Sequence, residues 1–198
     1  MNRIDGKIAV VTGGTQGLGK AIAQTFADSG AAGIIICGRN SENGKQVKKD
    51  IESNFKTLVE YVTADLSKIS DCRKVIDKAD KIFGKIDILV NAAGLTDRGN
   101  LIDTSEDLFD RMFAINAKAP FFLMQDSVKI MIREKTEGAI VNIGSTSALA
   151  GQPFIAPYSA SKGALATITR NSGYALLRDR IRVNQLNIGW MASDGEDR

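Results

Sequence analysis

Hydrophobic residues along the chain fall into six short runs, each five or six residues long and mostly rich in isoleucine, valine and leucine. Runs this short, with nearly every position apolar, are typical of strands that are buried on both faces of a parallel sheet. We predict strands over residues 8–12, 33–37, 58–63, 86–91, 139–143 and 181–186.

Longer segments with a helical spacing of apolar residues lie between these runs. We predict helices over residues 17–29, 41–54, 70–83, 105–134 and 157–178, with Thr104 in a capping box at the start of the fourth. Alternating strands and helices predict an α/β protein, a Rossmann-like doubly wound parallel sheet with helices on both faces. Ligands of such sheets bind at the carboxyl ends of the strands.

The composition favours one globular domain over residues 1–198, because 43% of the residues are hydrophobic and 25% are charged. The net charge is +3, from 26 basic and 23 acidic residues spread along the chain, so we expect no nucleic-acid partner. The N-terminus lacks the apolar core of a signal peptide, and the longest uncharged stretch, residues 138–161, contains prolines and several serines. We therefore expect a cytoplasmic protein without a membrane partner.

The two cysteines and the absence of histidine limit the available chemistry. Cys37 and Cys72 have no metal-ligand spacing, so we predict no metal site and expect Cys37, within an apolar run, to be a buried free thiol. Without histidine, the usual acid–base side chain near neutral pH is missing. A tyrosine beside a cation can replace it, and Tyr158 stands one helical turn before Lys162.

A glycine-rich segment follows the first predicted strand and opens the first predicted helix. It reads Thr12-Gly13-Gly14-Thr15-Gln16-Gly17-Leu18-Gly19. In a phosphate-binding turn, Gly13 would allow the sharp turn, Gly17 the close approach of a pyrophosphate, and Gly19 tight packing of helix on sheet. The alternative is an ordinary strand-to-helix turn that needs glycine only for its backbone angles.

The chain resembles the short-chain dehydrogenase/reductase family from about residue 5 onward, because five motifs occur in the family's order. They are Thr12-Gly13-x-x-x-Gly17-x-Gly19, Asn91-Ala92-Ala93-Gly94, Asn116, Ser145 and Tyr158-x-x-x-Lys162. Asp65-Leu66 after the third strand and the thirteen-position step from Ser145 to Tyr158 also suit the family. The resemblance implies an oxidoreductase that interconverts a ketone and a secondary alcohol by hydride transfer with a nicotinamide dinucleotide.

The resemblance also implies a catalytic set of Asn116, Ser145, Tyr158 and Lys162. Tyr158 would exchange a proton with the substrate oxygen, while Lys162 would stabilise its phenolate and bind the nicotinamide ribose. Ser145 would hydrogen-bond the substrate carbonyl, and Asn116 would hold a water in a proton relay. Ser147 would join Ser145 and Tyr158 in binding the substrate. From the residues alone, a surface Tyr–Lys pair, a turn-capping serine and an asparagine bonded to its own helix backbone are alternatives.

The end of the second predicted strand bears on the choice of cofactor. An acid there would bind the ribose 2′-hydroxyl of NAD, but the chain has Gly38, followed by Arg39, which can bind a phosphate. This favours NADP(H) over NAD(H); a solvated surface arginine is the alternative. The cofactor-binding residues that the resemblance implies are Gly13, Thr15, Gln16, Gly17, Leu18, Gly19, Arg39, Asp65, Leu66, Asn91, Ala92, Gly94, Tyr158, Lys162 and Gly189.

The C-terminal end departs from the family pattern. Ile188 precedes Gly189 where the family usually has a proline, and the sequence ends at Arg198, before the family's substrate lid and last strand. We therefore expect the domain to lack that region. The resemblance further implies a small-molecule carbonyl or alcohol substrate and a homo-oligomer, either a dimer or a tetramer. A non-catalytic dinucleotide-binding or scaffold protein, and an epimerase or dehydratase with tightly held NAD, are the alternatives.

Overall fold

Six strands form one parallel sheet in the order β3-β2-β1-β4-β5-β6 in the computed structural model, which describes residues 3–191. The strands are β1 (Ile8–Thr12), β2 (Gly33–Gly38), β3 (Leu58–Thr63), β4 (Ile88–Asn91), β5 (Ala139–Ser145) and β6 (Arg182–Ile188). Every neighbouring pair is parallel. The predicted doubly wound, Rossmann-like α/β fold is confirmed. The strand order reverses between β1 and β4, which places a crevice at their carboxyl ends.

Helices cover both faces of this sheet. They are α1 (Gly17–Asp28), α2 (Ser41–Asn54), α3 (Ile69–Phe83), α4 (Glu106–Phe113), α5 (Ala119–Arg133) and α6 (Ala156–Ala175). The prediction of one α-helix over residues 105–134 is wrong, because a π-helical turn, Ala114–Lys118, separates α4 from α5. The predicted cap at Thr104 is also wrong. Ser105 caps α4 by accepting from the amide of Leu108, while the Thr104 hydroxyl donates to the carbonyl of Asn100.

Several strand ends differ from the prediction. β4 begins at Ile88 rather than at residue 86. The amide of Ile8 donates to the side-chain carboxylate of Asp87 at 2.9 Å, and this bond takes the place of a backbone hydrogen bond between β1 and an earlier start of β4. β5 and β6 extend to Ser145 and Ile188, which pair with each other. Ser145 is therefore the last residue of its strand rather than a loop residue after it.

The core consists of two apolar layers, one on each face of the sheet. Consecutive strand residues point to opposite faces, so Val10 packs into the layer beneath α3 and α5, and Val11 into the layer beneath α1 and α2. This arrangement explains why nearly every strand position is apolar, and each buried Val, Leu or Ile contributes about 1.5–3 kcal/mol. Cys37 and Cys72 lie buried in the first layer as free thiols, as expected for Cys37.

Within residues 3–191, no helix has the length and apolar character needed to span a bilayer. The expectation that the chain stops before a substrate lid concerns the sequence after Met191 and lies outside the described residues.

Candidate functional site

The glycine loop joins β1 to α1 at the point where the strand order reverses. Gly13 and Gly17 have φ values of 66° and 50°, in the left-handed region that favours glycine. A Cβ atom on Gly13 would lie 2.9 Å from Cα of Ala93, and one on Gly19 would overlap the carbonyl of Gly13. Gly19 therefore packs against the glycine loop, rather than against the sheet as we expected.

The start of α1 fits a phosphate. Gln16 precedes the helix without a side-chain cap, so the amides of the first turn keep their donor capacity. Thr15 is buried beside this turn, and Leu18 is half-buried within it. Bare glycine backbone and a helix N-terminus together form a cradle that a pyrophosphate can approach closely.

The exit of β4 is tied to the neighbouring strands. Asn91 is buried and donates its amide to Oδ1 of Asn142 on β5 at 2.8 Å, and the amide of Ala93 donates to Oγ1 of Thr12 at 3.1 Å. The Asn91 side chain is thus bonded to a neighbouring strand, and only its backbone at the strand end supports its predicted role in cofactor binding. Ala92 follows it, half-buried at the end of the strand.

Gly94 lies between two members of the predicted catalytic set. A Cβ atom at this residue would lie 3.6 Å from Oδ1 of Asn116 and 3.6 Å from Nζ of Lys162. The missing side chain therefore leaves a small space next to both polar groups. These three residues come from the β4 exit, the π-helical turn and α6, so the fold brings together positions that are distant in the sequence.

Asn116 is fully buried in the π-helical turn, with partners outside its own helix. Its Oδ1 accepts from the amide of Leu95 at 2.8 Å, and its Nδ2 donates to the carbonyl of Leu95 at 2.8 Å and to Oγ of Ser161 at 3.0 Å. The alternative of an asparagine bonded to its own helix backbone is therefore wrong. Ser161 also donates to the carbonyl of Tyr158 at 2.7 Å, and we did not single it out from the sequence.

Tyr158 and Lys162 lie on the first two turns of α6. Lys162 is only 4% exposed, and its Nζ donates to the carbonyl of Ile143 on β5 at 2.8 Å. Burial lowers the pKa of this ammonium group to about 8. Its Nζ lies 5.8 Å from the centre of the half-buried Tyr158 ring. An ordinary exposed Tyr–Lys pair is excluded by the burial of the lysine.

Ser145 and Ser147 form a pair at the carboxyl end of β5. Both are buried, and their hydroxyl oxygens lie 2.8 Å apart. The amide of Ser147 also donates to Oγ of Ser145 at 3.2 Å, so Ser145 caps the short turn that follows. A turn-capping serine was the alternative to a catalytic role for this residue. Gly189 follows Ile188, the residue that pairs with Ser145, and so lies at the same edge of the sheet.

A side chain at Gly38, the last residue of β2, would meet the side chain of Thr15. A Cβ atom on Gly38 would lie 2.7 Å from Oγ1 of Thr15, so any larger residue would displace that threonine. Arg39 follows and is exposed, and among residues 3–191 it forms no ion pair. Hydrogen bonds from Ser67 hold the pKa of the nearby Asp65 carboxyl below its usual value, with a smaller effect of Arg39. Leu66, next in the chain, is buried.

No group of three or more potential metal ligands occurs among the described residues. The site instead combines a glycine loop at an uncapped helix N-terminus, a buried amine beside a phenol and a serine pair, all at the carboxyl edge of one parallel sheet. This arrangement is typical of nucleotide-dependent oxidoreductases with a Rossmann-like fold.

The chain belongs to the short chain dehydrogenase family, whose model matches residues 7–198. It is an NAD(P)-dependent dehydrogenase or reductase of this family, and the predicted family resemblance is confirmed. An uncharacterized oxidoreductase of Thermotoga maritima is 36% identical over 190 residues, which cover 96% of this chain and 74% of the relative.

Two solved structures share the fold closely. The L-sorbose reductase of Gluconobacter frateurii, complexed with NADPH and L-sorbose, has a TM-score of 0.94 at 27% identity and covers 98% of this chain and 74% of its own. The 3-oxoacyl (acyl-carrier-protein) reductase of Agrobacterium tumefaciens, with NADP bound, has a TM-score of 0.91 at 25% identity and the same coverage.

Proposed function

We propose that the chain interconverts a ketone and a secondary alcohol with NADP(H), using Tyr158, Lys162, Ser145 and Asn116. The observation that supports this most is the buried Lys162 amine, held by the carbonyl of Ile143 within 5.8 Å of the Tyr158 ring. A cation in that position stabilises a phenolate and so helps the phenol to exchange a proton near neutral pH.

The proposed residues then have distinct tasks. A nicotinamide held at this edge of the sheet would supply a hydride to the carbonyl carbon in reduction and accept one from the alcohol carbon in oxidation. Tyr158 donates its hydroxyl proton to the carbonyl oxygen in reduction and takes it back in oxidation. Ser145 donates a hydrogen bond to the same oxygen, with Ser147 lining the substrate pocket beside it.

Asn116 completes the proposed set as the holder of a relay water. Its Oδ1 accepts one hydrogen bond, from Leu95, and so keeps a second lone pair for a water. Gly94 provides the space for that water, because it has no side chain between Oδ1 of Asn116 and Nζ of Lys162. A water there could pass protons between Lys162 and solvent.

The proposed cofactor is NADP(H), because the end of β2 has a glycine in place of an acid and presents a cation. Gly38 packs against Thr15, and the exposed guanidinium of Arg39 can form two hydrogen bonds with a 2′-phosphate. NADP is bound in one structural neighbour and NADPH in the other. The glycine loop would hold the pyrophosphate, Asp65 and Leu66 the adenine, and Lys162 the nicotinamide ribose, with Asn91, Ala92, Gly94 and Gly189 along the crevice.

Binding isotherms for NADPH and NADH test the cofactor. We expect tighter binding of NADPH, and we expect the Arg39→Ala variant to lose about tenfold in NADPH affinity, as for one charge-assisted pair, with NADH unchanged. Arg178→Ala removes an exposed arginine near the opposite edge of the sheet and is the matched control. Equal affinity of the unaltered protein for both nucleotides would contradict the proposal. Oxidation of NADPH by a panel of ketones and ketoses tests the reaction.

A homo-oligomer is part of the same proposal. A groove of about 610 Å³ between α4, α5 and α6 is lined by the aromatic rings of Phe113, Phe121 and Phe122 together with Ile168. A second copy of the chain would cover these rings. Sedimentation analysis should therefore give a mass above that of one chain, and a monomer at all concentrations would contradict this.

The free thiols fit the expected cytoplasmic location.

A further inference from the structure

Tyr61 of β3 holds the backbone at the end of β2. Its hydroxyl donates to the carbonyl of Gly38 at 2.8 Å, and the amide of Ala64 donates to the same oxygen at 3.1 Å. Tyr61 pairs in register with Ile36, two residues before Gly38, so its side chain reaches along the sheet to the strand end. Both acceptor positions of the Gly38 carbonyl are therefore in use.

The ring of Tyr61 also supports the first turn of α2. A Cβ atom on Gly44 would overlap this ring, so the helix backbone lies directly against it. The same turn is capped by Asn40, whose side chain accepts from the amide of Asn43 at 3.0 Å. Tyr61 thus contacts the segment from Gly38 to Gly44 at both ends, and Arg39 lies inside that segment.

The carbonyl of Gly38 sets the direction of the following amide. The peptide bond between Gly38 and Arg39 is trans and planar, so its C=O and N–H groups point in opposite directions. Because the carbonyl points toward β3, the amide of Arg39 points toward β1, the side on which Thr15 of the glycine loop contacts Gly38. Fixing this peptide plane fixes the backbone from which the guanidinium extends.

We propose that Tyr61 is a positioning residue for the 2′-phosphate of NADP(H) and acts through Arg39. By holding the Gly38 carbonyl and the first turn of α2, it keeps the amide and guanidinium of Arg39 aimed at one place, where a phosphate meets both. Tyr61 itself touches no part of the cofactor. This inference rests on the proposed preference for NADP(H).

The Tyr61→Phe variant tests this role with little change to the fold. It keeps the ring against Gly44 and leaves the Gly38 carbonyl with its bond from Ala64. We expect NADPH affinity to fall about fivefold, the size of one modest hydrogen bond, and NADH affinity to change by less than about twofold. The affinity for adenosine 2′,5′-bisphosphate should fall as the affinity for NADPH does, whereas the affinity for AMP should not fall. Tyr174→Phe removes the hydroxyl of a tyrosine that is 81% exposed and is the matched control.

A double variant separates this role from a general structural one. If Tyr61 acts through Arg39, adding Tyr61→Phe to Arg39→Ala should change the NADPH-to-NADH affinity ratio by less than the roughly fivefold change expected for Tyr61→Phe alone, because only the backbone amide of residue 39 then remains to be positioned. If Tyr61→Phe alone leaves the NADPH-to-NADH affinity ratio unchanged, for example because it weakens the binding of both nucleotides equally, the inference is overturned while the NADP(H) proposal stays in place. Equal binding of both nucleotides by the unaltered protein would refute the cofactor proposal and the role of Tyr61 together.

Discussion

Replacing Lys162 with methionine measures how much the burial of this amine lowers the free energy of unfolding. Lys162 is 4% exposed and donates to the carbonyl of Ile143. Burial lowers its pKa from the ordinary value of 10.5 to about 8. Below about pH 8 the native protein therefore contains a buried ammonium, whereas above it the native amine is neutral.

The sign of the effect on stability follows from proton binding. Between about pH 8 and pH 10.5 the unfolded chain binds a proton at Lys162 that the native chain does not, so the free energy of unfolding rises with pH in this window. At about 1.4 kcal/mol for each pH unit, the full gain is about 3 kcal/mol. Methionine is similar in length and does not titrate. The Lys162→Met variant therefore lacks this gain.

Urea unfolding of both proteins between about pH 7 and pH 10 is the assay. We expect the stability of Lys162→Met relative to the unaltered protein to fall by about 2 to 3 kcal/mol over this range. The difference between the two proteins cancels the titrations of groups that Lys162 does not contact, including those of Cys37 and Cys72, whose thiol pKa values burial raises to about 12 and about 11. A difference constant within about 0.5 kcal/mol would refute the reasoning, because the amine would then have the same pKa in both states.

Two further predictions concern backbone contacts in the site. In Gly19→Ala the new methyl group would overlap the carbonyl of Gly13, so we expect a loss of about 1–3 kcal/mol in urea unfolding and weaker NADPH binding. Its matched control, Gly163→Ala, has open space on α6 and should gain about 0.5–1 kcal/mol; a similar gain in Gly19→Ala would contradict the contact. Asn116→Ala leaves the amide and carbonyl of Leu95 without their partner, so we expect it to lose about 2–3 kcal/mol, whereas exposed Asn171→Ala should lose less than about 0.5 kcal/mol. Equal losses would contradict the Leu95 contacts.

The fold could be predicted because burial on both faces of the sheet leaves a strong trace in the sequence. Val10 and Val11 are both apolar since each enters a different core layer, and the same holds along the other central strands. Strand ends were harder to predict. The start of β4 depends on the Asp87 carboxylate binding the amide of Ile8, a contact across 79 positions that no local pattern reveals.

The π-helical turn could not be predicted from hydrophobic spacing. A helical spacing of apolar residues continues through residues 105–134, and Asn116 is one of several polar residues within this segment. Its partners, Leu95 and Ser161, lie 21 and 45 positions away and become neighbours only in the folded chain. Tyr61 was hidden for the same reason, because in the sequence it is an ordinary strand tyrosine, and its role depends on contacts with Gly38 and Gly44.

The proposed chemistry depends most directly on the phenol of Tyr158. Ketone-dependent oxidation of NADPH, measured by absorbance for the unaltered protein and for Tyr158→Phe, tests it with the panel ketone that the unaltered protein reduces fastest. We predict that turnover falls by about 10²-fold or more while the Kd for NADPH stays within about twofold. Turnover of Tyr158→Phe within about threefold of the unaltered protein would contradict the account, because another group would then supply the proton.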